Sequence, residues 1–192
     1  MTEKEKMWAG LLFDPAKLDN NAEDIRKCLD LCYRYNYCPP GNTEEKQQIL
    51  KQIIGSMGKN CVVTSPFWCD HGYNISMGDS FYSNHNLVIT DGVSVTFGNH
   101  VLIAPNCCFT TAEHAIDPEQ RKMGIEIARP IKIGNNVWFG AGVTVLAGSV
   151  IGDNTVIGAG SVVKGNIPSG VVAAGVPCRV IRKISDKDKI KD

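Results

Sequence analysis

The sequence predicts a mainly β solenoid assembled from six-residue repeats, with a short helical hairpin in front and one protruding loop. Three observations carry this expectation. Apolar residues recur every six positions through the second half of the chain, helix-like periodicity is confined to residues before about 60, and residues 110–129 break the repeat.

Counting by sixes from Ile133 meets Phe139, Val145, Ile151, Ile157 and Val163 without a miss. The next position carries Gly134, Gly140, Gly152 and Gly158, missing only at Leu146 and Lys164. Upstream, Phe97, Ile103 and Phe109 keep the spacing, followed by Gly98 and Ala104; Met77-Gly78 is out of register, so irregular early coils are expected. A period of two marks a half-buried strand and 3.6 a helix; six is neither. It fits a chain that turns a corner every six residues and points one residue per side into a narrow core. Stacked coils then bury a continuous apolar column that no single repeat could bury alone.

Before the repeats, Ala22, Ile25, Leu29 and Cys32 fall on one face of a helix. Asn20 or Asn21 is expected to cap its start by accepting a bond from a free backbone N–H. Pro39-Pro40-Gly41 breaks it. A second helix begins at Asn42, with Glu45 placed for a capping box and Ile49, Ile53 and Ile54 apolar. The expected organisation is a helical segment 1–58, a solenoid 59–183 carrying the insertion 110–129, and a solvated tail 184–192. A long excursion from a compact solenoid is usually a binding loop.

Composition excludes several function classes. Twenty Lys and Arg against twenty Asp and Glu give zero formal net charge, which suggests neither a nucleic-acid nor an anionic membrane partner. No apolar run approaches membrane-spanning length, and the first residues lack a signal core, so a cytoplasmic location is expected. The eight cysteines, at 28, 32, 38, 61, 69, 107, 108 and 178, form no C-x-x-C pair, and Cys28/Cys32 has no matching second pair for zinc. Free, buried thiols are expected.

Several segments carry a resemblance. Lys6-Met-Trp-Ala-Gly-Leu-Leu-Phe-Asp14, Pro66-Phe-Trp-Cys-Asp-His-Gly-Tyr-Asn74, Tyr82-Ser-Asn84-His-Asn86, Thr111-Ala-Glu-His114, Ile133-Gly-Asn-Asn-Val-Trp138-Phe-Gly and Ala173-Ala-Gly-Val-Pro-Cys-Arg179-Val-Ile-Arg182 occur in that order. Together they resemble the hexapeptide-repeat acyltransferases, within them the maltose/galactoside O-acetyltransferase group. The resemblance implies a left-handed parallel β-helix, a homotrimer with active sites between subunits, acetyl-CoA as co-substrate without a metal, and a maltose-, glucose- or galactoside-type acceptor.

Acetyl transfer from a thioester to a hydroxyl needs a base for the hydroxyl proton, stabilisation of an oxyanion and a hold on the pantetheine arm. Histidine suits the first task because its ordinary pKa lies near neutrality. Of His71, His85, His100 and His114, only His114 opens the polar insertion, and it matches the family's catalytic histidine. The resemblance gives Asn84 a transition-state or acceptor contact; the structural alternative is a corner cap. It puts acceptor contacts at Asp14, Asp70, Asp91 and Glu126. Asp91 beside Gly92 is equally a turn residue, and Asp14 before Pro15 equally a helix cap. Trp138, Ala141, Ala159 and Gly160 are implied along the donor arm, with Arg179 and Arg182 at its phosphates or else simply solvated. Where many relatives carry Thr-Lys after the last coil, this chain has Val163-Lys164, so Lys164 supplies the charge.

Other classes fit less of the sequence. A γ-type carbonic anhydrase needs a histidine pair on its insertion, and 110–129 holds only His114. A non-enzymatic scaffold leaves the insertion and the Ala-Gly-Val-Pro ending unexplained. An antibiotic, serine or nucleotide-sugar acceptor keeps the same chemistry, although the short helical hairpin favours the sugar group.

Overall fold

A computed structural model describes residues 1–190; the last two residues of the expected tail, 191 and 192, lie outside it. Three parallel sheets wind into a left-handed β-helix of about six turns. The first face stacks Ser56–Met57, Ile75–Met77, Val95–Phe97, Ile131–Ile133, Val150–Ile151 and Asn166–Ile167. Val62–Val63, Tyr82–Ser83, Leu102–Ile103, Trp138–Phe139, Val156–Ile157 and Val171–Ala174 form the second, closed by the antiparallel strand Arg179–Lys183. Phe67–Cys69, Leu87–Thr90, Cys108–Thr110, Thr144–Val145 and Val162–Val163 form the third. Because Ser56–Met57 already pairs with the next coil, the solenoid starts before the expected 59.

The period-six residues are the core. Ile133, Phe139, Val145, Ile151, Ile157 and Val163 are all buried. Phe81, Phe97, Phe109 and Phe139 stack edge to face along the axis with centroids 5.1, 5.1 and 5.2 Å apart, a favourable aromatic geometry. The glycine after the inward residue is required by close approach: a Cβ on Gly140 meets the Ala159 amide nitrogen at 2.5 Å.

Length variation collects on one edge. The first edge, between the first and second faces, is regular. Asp79, Asn99, Asn135 and Asp153 accept from the amides of Lys59, Asp79, Asn99 and Asn135 in turn. The second edge repeats a left-handed corner residue at Asn86, Asn106, Gly142 and Gly160. The third edge joins the third face back to the first, and Met77 pairing with Phe97 makes an early coil of 20 residues where Ile133 pairing with Ile151 makes one of 18. Those extra residues explain the broken register of Met77-Gly78. The insertion leaves from the same edge, and Leu146 and Lys164, the two missing glycine positions, also lie there, their bends made by Gly148 and Gly165 at positive φ.

The helices differ from expectation in detail. Besides α2 (Asn21–Tyr37) and α3 (Thr43–Ile53), the structure forms α1 (Glu3–Trp8), capped by a reciprocal Thr2/Glu5 box. Asn20 sits at the start of α2 in a left-handed conformation with no side-chain capping bond, and Asn42 instead donates from its Nδ2 to Glu45. Leu29 is exposed; the buried face of α2 runs through Cys28, Cys32 and Tyr35, because the solenoid meets the helix there. Met7, Phe13, Leu18, Val93 and Ala128 form a second small core that anchors the N-terminal segment to the insertion's base. No helix among the described residues is long and apolar enough to cross a membrane.

Candidate active site

The insertion is an ordered arm rather than a structureless loop. Ala112–His114 pairs antiparallel with Glu126–Ala128, and α4 (Pro118–Lys122), capped by Asp117, closes the tip. The register sets His114 directly opposite Glu126, and Glu126 Oε1 lies 3.7 Å from His114 Nδ1. The imidazole is 65% exposed while the carboxylate is 23% exposed, so the ring reaches outward from a half-buried support. Phe13 bridges Glu126 through two backbone bonds of 3.0 Å, which brings the N-terminal segment alongside.

Asp70 and Asp91 belong to successive coils of the same third edge. Burial raises the carboxyl pKa of Asp70, with the nearby Glu126 charge adding to it. Asp91 is fully buried: its Oδ1 accepts from the amides of Asp70 and His71 at 3.1 and 2.9 Å, and its Oδ2 has no partner. Burial pushes its pKa to about 7 in spite of those two bonds. Asp91 therefore acts as the corner residue, holding the Asp70 turn, and offers no surface to an acceptor in this chain. Asp14 likewise caps a short 3-10 turn: one oxygen accepts from Ala16 at 3.0 Å and the other meets Lys17 at 3.0 Å. His71, passed over in the sequence reading, sits beside Asp70 with a buried, unpartnered Nδ1; only its place in the Asp-His-Gly segment signalled it. Beyond it, a cleft of about 520 Å³ opens between α1, the start of α2 and this edge, lined by Trp8, Lys17, Asp24, His71, Tyr73 and Gly92, but not by His114.

A second group of expected residues lies on the second edge. Asn84, Ala141 and the pair Ala159-Gly160 stand along it in three coils, with the Ala104–Asn106 corner between the first two and Gly160 donating to the Ala141 carbonyl at 2.8 Å. Asn84 is not the left-handed corner residue; Asn86 is, at φ 61°. The Asn84 Oδ1 accepts from the His85 amide at 2.7 Å, and its Nδ2 bonds nothing among the described residues, which leaves a donor available. Ala141 and Ala159 are exposed, and no atom lies within 4 Å of where a Cβ on Gly142 or Gly160 would be. The edge is thus open along its length. Trp138 projects from the adjoining second face, 52% exposed.

Towards the end of the solenoid, Arg179 and Arg182 sit on the closing strand. Arg182 is already held by Asp188 through two bonds of 2.6 and 2.8 Å, whereas the Arg179 side chain bonds only the Cys178 carbonyl. Lys164 is exposed on the third edge, away from Ala141 and Ala159. Within one chain the expected residues therefore split into two half-sites flanking the third face. His114, Glu126, Asp70 and Lys164 share one edge, and Asn84, Ala141, Ala159 and Gly160 the other.

A left-handed six-residue solenoid with a histidine on a projecting arm and an open small-residue edge has the layout of a hexapeptide-repeat acyltransferase. Comparison with known proteins narrows the class. A bacterial transferase hexapeptide (six repeats) model matches residues 130–165, and a maltose acetyltransferase hexapeptide capping motif matches residues 6–58. A galactoside O-acetyltransferase of Escherichia coli strain K12 is 43% identical over 98% of this chain and 93% of its own length. A putative acetyltransferase of Saccharomyces cerevisiae is 48% identical over 96% and 94%. Among solved structures, a galactoside acetyltransferase in complex with coenzyme A superposes with TM-score 0.95 at 43% identity, over 98% of this chain and 94% of that one. A maltose O-acetyltransferase from Clostridium difficile 630 superposes with TM-score 0.92 at 43% identity, over 97% and 99%. The chain belongs to the maltose/galactoside O-acetyltransferase family of hexapeptide-repeat transferases.

Proposed function

We propose that this protein transfers an acetyl group from acetyl-CoA to a hydroxyl of a maltose-, glucose- or galactoside-type sugar, with His114 as general base. The observation that carries this reading is the placement of His114 at the exposed end of an ordered arm, backed by Glu126 at 3.7 Å. A base must reach a substrate proton, and an exposed imidazole on a rigid ribbon is able to do so. Glu126 serves as a positioning residue by facing the Nδ1 side, which directs Nε2 towards the hydroxyl. The hydroxyl loses its proton to His114 as its oxygen attacks the thioester carbonyl. Collapse of the tetrahedral species then expels the CoA thiolate, which takes up a proton. The free Asn84 amide is suited to donate to the oxyanion.

The donor is best accommodated along the second edge. Its thioester end lies at Asn84, the pantetheine arm passes Trp138, Ala141, Ala159 and Gly160, and the phosphates fall towards Arg179 and Arg182. Asp70, on the same edge as His114, supplies a carboxylate to the acceptor side. Since the two half-sites border the third face from opposite sides, a complete site needs the His114 edge of one copy against the Asn84 edge of another. The homotrimer is the assembly that fits, and Lys164 then reaches the donor held by its neighbour. Eight free cysteines accord with a reducing, cytoplasmic setting.

Thiol release from acetyl-CoA, followed with maltose, glucose and galactosides as acceptors, tests the reaction. Acceptor-dependent release with at least one of these sugars is expected; release with none of them removes the sugar from the assignment.

A further inference from the structure

We propose that Cys28, Cys32 and Cys69 form a three-sulfur site for a soft metal ion, with Cu(I) the ion it fits best, which ties α2 to the first coil. The i, i+4 spacing puts Cys28 and Cys32 on one face of α2, and Cys69 ends the third-face strand packed beneath. The Cys69 sulfur lies 3.5 Å from that of Cys28 and 3.8 Å from that of Cys32, and all three sulfurs fall within 4.8 Å of one another. Sulfurs sharing one ion through bonds of about 2.3 Å lie roughly 3.8–4.0 Å apart, so metal entry asks for shifts of only tenths of an ångström.

The other buried thiols behave differently. Cys61 turns its sulfur to the Gly78 carbonyl at 3.2 Å and Cys107 to that of Gly140 at 3.3 Å, as small packed donors do. Cys28, Cys32 and Cys69 turn to each other, save for a long contact from Cys28 to the Cys69 carbonyl at 3.6 Å. A C-x-x-C count misses this group because its third member comes from a strand distant in sequence.

Coordination number selects the ion. The three residues are only 4%, 0% and 2% exposed, and no histidine or carboxylate joins the group among the described residues. Zinc seeks four ligands, whereas thiolate sulfur is the preferred donor of Cu(I), for which three sulfurs suffice. A thiolate, not a thiol, is the copper ligand, so the three cysteines give up their protons on binding. An incoming ion must displace those protons to solvent, so uptake weakens as pH falls. Copper stays monovalent throughout. The ion is structural.

Anaerobic titration of the reduced full-length protein with Cu(I), buffered by a chromogenic chelator, tests the proposal. The expected result is one tightly held equivalent, an ultraviolet thiolate-to-copper absorption and a raised thermal midpoint, all lost in Cys69→Val. Cys32→Ser provides a second variant if Cys69→Val does not fold, and Cys107→Ala should bind as the wild type does. Equal uptake by the wild type and by whichever of these two variants folds overturns the site. Tighter binding of Zn(II) than of Cu(I) overturns the choice of ion.

Discussion

Glu126 stands opposite His114 across the antiparallel arm, with its carboxylate 3.7 Å from the imidazole Nδ1. Because a carboxylate in that position orients the ring, Glu126→Gln is expected to lower kcat about tenfold while leaving the acceptor KM within a factor of two. A direct acceptor contact predicts the reverse, with KM rising and kcat kept. Steady-state kinetics with the best acceptor separate the two roles.

The half-sites on opposite borders of the third face predict complementation. His114→Ala and Asn84→Ala are each expected to be nearly inactive alone. Denatured together in equal amounts and refolded, they should regain about a quarter of wild-type activity if the assembly is the proposed trimer, since each mixed ring then has one interface with both residues intact. If both residues served one site within a single chain, mixing would restore nothing.

Arg182 is held by Asp188 through two short hydrogen bonds, a pairing that also holds the Asp188 carboxyl down at about 2. A donor phosphate would compete for the same guanidinium. Asp188→Asn should therefore lower the KM for acetyl-CoA a few-fold, and Arg182→Ala should raise it about tenfold, both effects shrinking at high salt. An Asp188→Asn enzyme with unchanged donor KM at low salt would place the phosphates elsewhere.

The Asp91 carboxyl, raised by burial from 3.8 to about 7, gives stability a pH dependence of definite sign. The folded state binds its proton more tightly than the unfolded chain does, so this group favours folding below about pH 4. That contribution drains away as pH rises towards 7. Asp91→Asn keeps an oxygen for the amides of Asp70 and His71 and removes the ionisation. Thermal midpoints measured from pH 4 to 7 should fall more steeply in the wild type than in the variant.

Phe109 is fully buried between Phe97 and Phe139 in the axial stack. Its replacement by Ala is expected to destabilise the solenoid by about 3–5 kcal/mol, read by denaturant unfolding.

The repeat was legible because the solenoid core is one residue wide: each inward position in the run from Ile133 to Val163 had to be apolar, and the spacing shows it directly. The 20-residue early coils hid their register because the extra residues fall on the third edge, where no core position constrains them. His114 stood out by lying in the break. Its support by Glu126 was not legible, since a hairpin register is set by pairing rather than by sequence distance. Asp91 and Asp14 were ambiguous for a physical reason: a carboxylate serves backbone N–H groups and hydroxyls equally well, and only burial places Asp91 at a corner, whereas Asp14 caps its turn with the carboxylate still partly exposed. The α2 face was misjudged because Leu29 looks like a core residue, whereas a helix lying on a solenoid buries a narrow stripe of cysteines and Tyr35.

The most direct test of the central claim is the turnover of His114→Ala with the best sugar acceptor at saturating acetyl-CoA. Loss of a general base predicts a kcat lower by roughly 10²–10⁴-fold with the donor KM little changed. A variant that keeps most of its turnover would show that another group takes the hydroxyl proton.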